Sequence, residues 1–269
     1  MTSYIANARM YAVAPGAAAA WKNLFAWLAD AGGVELQVID HAFPAALDDL
    51  WNRPDLGAAF MCGWPYARRA EKPKLVAAPI PAAARYGGEP VYFTDLVVRA
   101  DSPFQTLADT FGHRLAYTAT GSHSGFNAQR FHLASRYGAE KHYPPWVGPY
   151  VTPRKIVEAL LAGEADIGPL DSFAHDLMRR HAPELMAGIR TLETTDAAPI
   201  PALIASPATP DAIVERLRAA LLSVGDRPEL ADMRDQLCLS GFGLTHPADY
   251  QVTLDRAAAA EASGHGVPV

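Results

Sequence analysis

The sequence predicts an α/β fold built in two lobes, and three observations carry the prediction. Short apolar strands alternate with amphipathic helices along nearly all of the 269 residues. Two extended runs, residues 91–99 and 198–205, bracket a central block with its own strand–helix alternation. No low-complexity linker divides the chain. Such a pattern describes a chain that leaves one lobe, builds a second and returns. The expected division is residues 1–96 with 200–269 for the first lobe and 97–199 for the second.

Taken in order, residues 8–14 read as a strand that ends at Pro15-Gly16. Residues 18–31 read as a helix, with Trp21, Leu24, Phe25 and Leu28 three and four apart on one face. A second strand at 34–39 and a short helix at 45–51 follow. Residues 57–63 form an apolar strand running into the turn-prone Trp64-Pro65-Tyr66. Residues 75–78 give another strand, closed by Pro79 and Pro81. The run VYFTDLVVR, residues 91–99, is β-branched and aromatic and reads as one unbroken strand.

A helical pattern at 107–111 and a strand at 113–117 lead into residues 118–125, all small or polar except His123. A helix is predicted from Phe126. The connection HYPPWVGPYVTP, residues 142–153, is irregular and rich in proline. Thr152 is a natural helix cap and Pro153 suits a first turn, so a helix covers 155–162. A brief strand at 165–170 stops at Asp171-Ser172, and a helix covers 173–181. Residues 189–193 and 199–205 are extended. Residues 211–224, 229–237 and 247–262 are mostly helical.

Composition narrows the function. Half of the residues are apolar, 19% are charged, and the net charge is −6, values of an ordinary globular chain. Lys and Arg reach only pairs such as Arg68 and Arg69 or Arg179 and Arg180, so nucleic acid is not an expected partner. The two cysteines, Cys62 and Cys238, form no CxxC pair and no framework of bridges. Two buried thiols or one long-range bridge remain as readings. Residues 1–7 contain no apolar leader, and the apolar stretch at 11–20 is broken by Pro15 and Gly16. Neither a signal peptide nor direct membrane insertion is expected.

The segment GSHSG, residues 121–125, is the strongest chemical signal. It is not the nucleophile elbow G-x-S-x-G, because His123 holds the central place and Ser122 and Ser124 flank it. His123 has no helical histidine partner and no clustered acid, so no metal site is predicted. The Gly-Phe-Gly at 241–243 lacks the third glycine and the preceding strand of a dinucleotide fingerprint, so no cofactor is predicted. Two readings of the segment stand. Ser124 caps the helix, or the loop cradles an anion on free N–H groups, with Ser122 and Ser124 as donors and Gly121 and Gly125 allowing close approach. Thr152 and Asp171 also stand at helix starts, and Asp171 reads as a cap, a ligand contact or both. In the first lobe Tyr11, Trp64 and Tyr66 sit at or past strand ends, as an apolar wall or as core.

The ordered series FTDLVVRADSPFQTLADTFGHRLAYTATGSHSGFNAQR, then VEALLAGEADIGPLDSFAHDLM, then IPALIASPATPDAIVERLRAAL resembles phosphate/phosphonate-type solute-binding proteins of ABC transporters. The resemblance covers residues 11–224 and implies the type 2 periplasmic-binding fold: two mixed sheets flanked by helices, with two crossing strands as hinge. It implies a small anionic or oxygen-rich ligand in an interlobe cleft, a membrane permease as partner, no cofactor and a periplasmic location. On this resemblance Ser122, His123, Ser124 and Gly125 bind the anionic head, Asp171 is the acid ending the short strand, and Tyr66 is the aromatic after the third strand. Where phosphonate binders commonly carry a Ser-His pair, this chain has Thr152-Pro153, so a histidine donor is missing. With no leader in residues 1–7, a cytoplasmic relative is the alternative. That alternative is an enzyme on the same fold, of the menaquinone or thiamin-precursor type, with His123 as acid/base.

Overall fold

Strand β1 (Tyr4–Asn7) is buried along its whole length and hands over to helix α1 (Pro15–Gly32) through a loop. The computed structural model describes residues 3–140, 142–143 and 146–264. Pro15 presets the first helical turn of α1. Gly33 ends it in the left-handed region at φ 57°, its N–H directed to the carbonyls of Ala29 and Asp30. β2 (Leu36–Val38), α2 (Leu47–Trp51), β3 (Leu56–Met61), α3 (Gly63–Arg68) and β4 (Lys74–Pro81) complete the first pass. The chain then runs through β5 (Val91–Tyr92), β6 (Thr94–Arg99), β7 (Leu115–Ala116), α4 (Ala128–Tyr137), β8 (Trp146–Val147) and α5 (Pro153–Leu161). After these come β9 (Ile167–Asp171), α6 (Ser172–His181), α7 (Pro183–Met186) and β10 (Ile189–Thr194). The last elements are β11 (Ala198–Pro199), β12 (Ala202–Ala205), α8 (Asp211–Leu222), α9 (Ala231–Gln236), β13 (Leu239–Gly243) and α10 (Gln251–Ala262).

Two compact units result: residues up to 91 with 199–249, and residues 92–198 with those from 250 onward. The sequence reading assigned the C-terminal helix to the first lobe. In the structure α10 belongs to the second unit, where Asn127 of the second unit's loop donates to the Thr253 carbonyl at 2.9 Å. Its buried Ala257 and Ala260 permit close helix packing.

The first unit holds a six-stranded sheet in the order β13-β4-β12-β3-β1-β2. β1 runs parallel to β2 and β3, whereas β12 is antiparallel to both β3 and β4. Its core is an aromatic cluster in which Phe60 meets Trp21 edge-on at 4.9 Å and Tyr11 at 4.8 Å. Burying a side chain the size of Phe60 contributes about 2–3 kcal/mol. Both cysteines lie in this unit and form no disulfide, Cys62 buried and Cys238 partly so.

The second unit holds a five-stranded sheet in the order β10-β6-β9-β7-β8. β7, β8 and β9 run parallel, and β6 runs against β9 with Thr94 opposite Asp171. The carboxyl ends of three strands therefore share one edge with the amino end of β6. Leu96, Val98, Leu107, Leu115, Leu133, Tyr143 and Ile167 form the core beneath it.

Four local predictions change. Residues 8–14 are a loop, in which Tyr11 and Ala12 both donate to the Ala8 carbonyl, and the strand is the preceding YIAN. The run 91–99 is broken at Phe93, whose N–H goes to Ser172 Oγ at 2.9 Å. Trp64-Pro65-Tyr66 lies in helix α3, with Pro65 in the first turn where its missing N–H costs nothing. The Gly-Phe-Gly at 241–243 ends an edge strand, β13, paired with β4. Pro144 and Pro145 of the Pro-rich connection lie outside the described residues.

Candidate functional site

The carboxyl-terminal edge of the second unit gathers every polar residue singled out there. After β7 the chain runs through a short loop into a π-type turn, His123–Asn127, that continues directly into α4. Ser122 caps this turn, its Oγ accepting the Gly125 N–H at 3.0 Å. Its carbonyl accepts the Asn127 N–H at 3.1 Å. The cap predicted at Ser124 is thus Ser122. The Ser124 hydroxyl takes no hydrogen bond from the described residues, although its carbonyl receives Thr94 Oγ1 at 3.0 Å. N–H groups in a first helical turn have no partner within the helix, and the helix dipole favours negative charge beside them.

Hydrogen bonds tie the three helix starts together. Val151 donates to the Thr118 carbonyl at 2.8 Å, and Thr118 donates to the Gly125 carbonyl at 3.1 Å. Thr94 then links the Ser124 carbonyl to the end of β9, where it pairs with Asp171. Thr152 and Asp171 are therefore joined to the serine loop through Val151–Thr118 and Thr94. Thr94 and Thr118 were not singled out in the sequence. Thr118 opened the run of small polar residues, and that was the signal available.

Thr152 caps α5 as predicted, accepting the Lys155 N–H at 3.2 Å. Just before it, Val151 sits at φ 66°, a left-handed backbone that costs a β-branched residue on the order of 1–3 kcal/mol. Arg154 is engaged by Glu158 at 2.9 Å, one turn along the exposed side of α5. Asp171 caps α6, one carboxylate oxygen accepting the Phe173 and Ala174 N–H groups at 3.0 Å each. These charge-assisted bonds occupy donors that an anion would otherwise use.

His123 is buried, 1% exposed. Burial, reinforced by the positive charge of Arg256, holds its pKa down at about 3. Its Nδ1 faces the Asn127 amide nitrogen at 3.1 Å, and the Tyr92 ring lies 6.2 Å away. An imidazole that binds protons so weakly is a poor general base at neutral pH. Arg256 lies over the Phe131 ring, and the buried Arg130 lies over Phe126 at 5.0 Å.

In the first unit, Tyr11 follows β1, and its ring stacks toward Trp21 and meets Phe60 edge-on at 1% exposure. Trp64 lies in the first turn of α3, past the carboxyl end of β3, with the Arg68 guanidinium 5.3 Å from its ring. Tyr66 is placed differently. It lines a cavity of about 390 Å³ with Lys72, Lys74, Asp211 and Arg218, at the amino-terminal end of β4. Burial raises its phenol pKa. The sequence grouped Tyr66 with Tyr11 and Trp64, whereas Tyr66 lines this cavity and those two do not. Among the described residues, no group of three or more His, Cys, Asp or Glu could hold a metal ion. No helix among them is long and apolar enough to cross a membrane.

A family model described as the periplasmic substrate-binding protein of phosphonate ABC transporters matches residues 14–250. No curated protein sequence matches the chain. Among solved structures, the chain is similar to a binding-protein component of an ABC phosphonate transporter from Pseudomonas aeruginosa. That match has 12% identity and a TM-score of 0.81, over 97% of this chain and 87% of the other. It is similar to PhnD1 from Prochlorococcus marinus in complex with methylphosphonate, at 11% identity and a TM-score of 0.78, covering 98% and 99%. It is also similar to MatC from Rhodopseudomonas palustris with bound malate, at 16% identity and a TM-score of 0.62, covering 97% and 98%. At these identities the likeness is one of fold, the two-lobed α/β fold expected from the sequence.

Proposed function

The chain belongs to the family of periplasmic substrate-binding proteins of phosphonate ABC transporters, and from that premise we propose that it binds a small oxyanion on the serine loop of its second unit. The family is one of binding proteins, not enzymes, which removes the reading of His123 as an acid/base catalyst. One observation carries the proposal. The hydroxyl of Ser124 and the N–H groups of the first turn at 123–124 stand at a strand–loop–helix junction, hydrogen-bonded through Thr118 and Thr94 to the starts of α5 and α6. Backbone N–H groups with a hydroxyl beside them form a donor-rich cradle that needs no side-chain cation. Pro153 stands where a histidine donor is common in phosphonate binders, so the ligand is held by neutral donors. The periplasm and a membrane permease complete the proposal, as location and partner.

A thermal-shift panel of phosphate, methylphosphonate, sulfonates and dicarboxylates tests it. A ligand at 100 times its Kd stabilises the protein by about 2.7 kcal/mol. Stabilisation by one anion class, reduced in Ser124→Ala, is the expected result. A panel in which no anion stabilises the protein, or in which Ser124→Ala binds unchanged, contradicts it.

A further inference from the structure

Asn127 sits at the end of the π-type turn, fully buried, and its amide nitrogen has two neighbours. One is the main-chain carbonyl of Thr253 on α10, at 2.9 Å; the other is Nδ1 of His123, at 3.1 Å. A carbonyl oxygen only accepts, so the amide must present its NH2 group to Thr253. Turned the other way, it would set two carbonyl oxygens against each other in a dry interior. An amide NH2 offers two protons and accepts none, so the proton not used by Thr253 is directed at His123. Nδ1 is therefore the acceptor, and the ring proton resides on Nε2.

We infer that Asn127 is a positioning residue: anchored on the C-terminal helix, it holds His123 as the uncharged Nε2–H tautomer, a neutral hydrogen-bond donor within the serine loop. The inference deepens the proposed binding role and rests on it for its use, but the tautomer itself follows from the hydrogen bonds alone. The charged and titratable groups around the ring agree. Arg256, from α10, disfavours an imidazolium. Asp171, at the end of β9, is committed to the N–H groups of α6. The Tyr92 phenol comes from β5. The buried imidazole then carries no charge from pH 5 to pH 8.

Two-bond ¹H–¹⁵N correlation spectra of protein labelled at histidine nitrogens read the tautomer directly. The wild-type chain should show His123 with a bare Nδ1 and a protonated Nε2, unchanged from pH 5 to pH 8. In Asn127→Asp, which replaces the amide protons by lone pairs, Nδ1 should gain its proton. A wild-type spectrum with Nδ1 protonated, or an imidazolium appearing within that range, overturns the inference whether or not the variant folds. A persistently bare Nδ1 in folded Asn127→Asp overturns it too. Addition of methylphosphonate tests the binding role separately, because loss of that response leaves the tautomer result standing.

Discussion

Gly125 has no room for a side chain: a Cβ there would lie 1.8 Å from Thr118 Oγ1 and 2.8 Å from its Cβ. The loop closes this tightly because Thr118 donates across it to the Gly125 carbonyl. Gly125→Ala should destabilise the second unit by about 1–3 kcal/mol and abolish ligand-induced stabilisation, with part of both recovered in Gly125→Ala/Thr118→Gly. Thermal unfolding with and without anion measures this. His123 makes a second prediction. Its pKa is about 3 in the folded chain against an unfolded value of 6.5, so below pH 6.5 the unfolded chain binds the extra proton. The stability due to a neutral His123 is complete above pH 6.5 and drains away as the pH falls toward 3. Between pH 6.5 and 4.5 the loss is about 2 kcal/mol, and it should be missing in His123→Gln, as denaturant titrations at both pH values would register. The sequence displayed both residues, because GSHSG is conspicuous. It could not show which serine caps, since Ser122 and Ser124 both precede a helix and a π-type turn decides between them. Nor could it show Thr94, whose role depends on a register across two strands.

At the scale of elements, the helix starts separate capping from ligand contact. Thr152→Ala removes the acceptor for the Lys155 N–H and should cost about 1 kcal/mol, located in α5 by hydrogen exchange. Asp171→Asn keeps an oxygen for the Phe173 and Ala174 N–H groups, whereas Asp171→Ala does not. The asparagine variant should unfold close to wild type and the alanine variant about 1–2 kcal/mol earlier. If the negative charge of Asp171 weakens anion binding, the asparagine variant should also bind methylphosphonate more tightly. Helix α1 was legible from its apolar spacing after Pro15-Gly16, and α5 and α6 from the capping residues Thr152 and Asp171 at their starts. Residues 8–14 misled because a buried loop can be as apolar as a strand. The break at Phe93 was invisible because a distant side chain, Ser172, takes the N–H that the ladder would have used.

At the scale of the molecule, the sequence indicated two lobes and placed the crossings near 91–99 and 198–205, and the units change at 91–92 and 198–199. The third crossing, between Asp249 and Tyr250, had no signal, since one helix follows another there and only tertiary packing assigns α10 to the second unit. A chain ending at residue 249 should lose the Asn127–Thr253 bond and the cover over α4. Amide protection should then fall at residues 122–137 and hold in the first-unit sheet. The family and the fold were legible from an ordered series of motifs; the ligand was not, because Thr152-Pro153 departs from that series at the position that would contact it. The most direct measurement is a ¹H–¹⁵N titration of the labelled chain with methylphosphonate. Saturable shifts concentrated in the amides of residues 122–125 are the predicted result. Saturable binding that leaves those amides unmoved would contradict the serine loop as the grip on the anion.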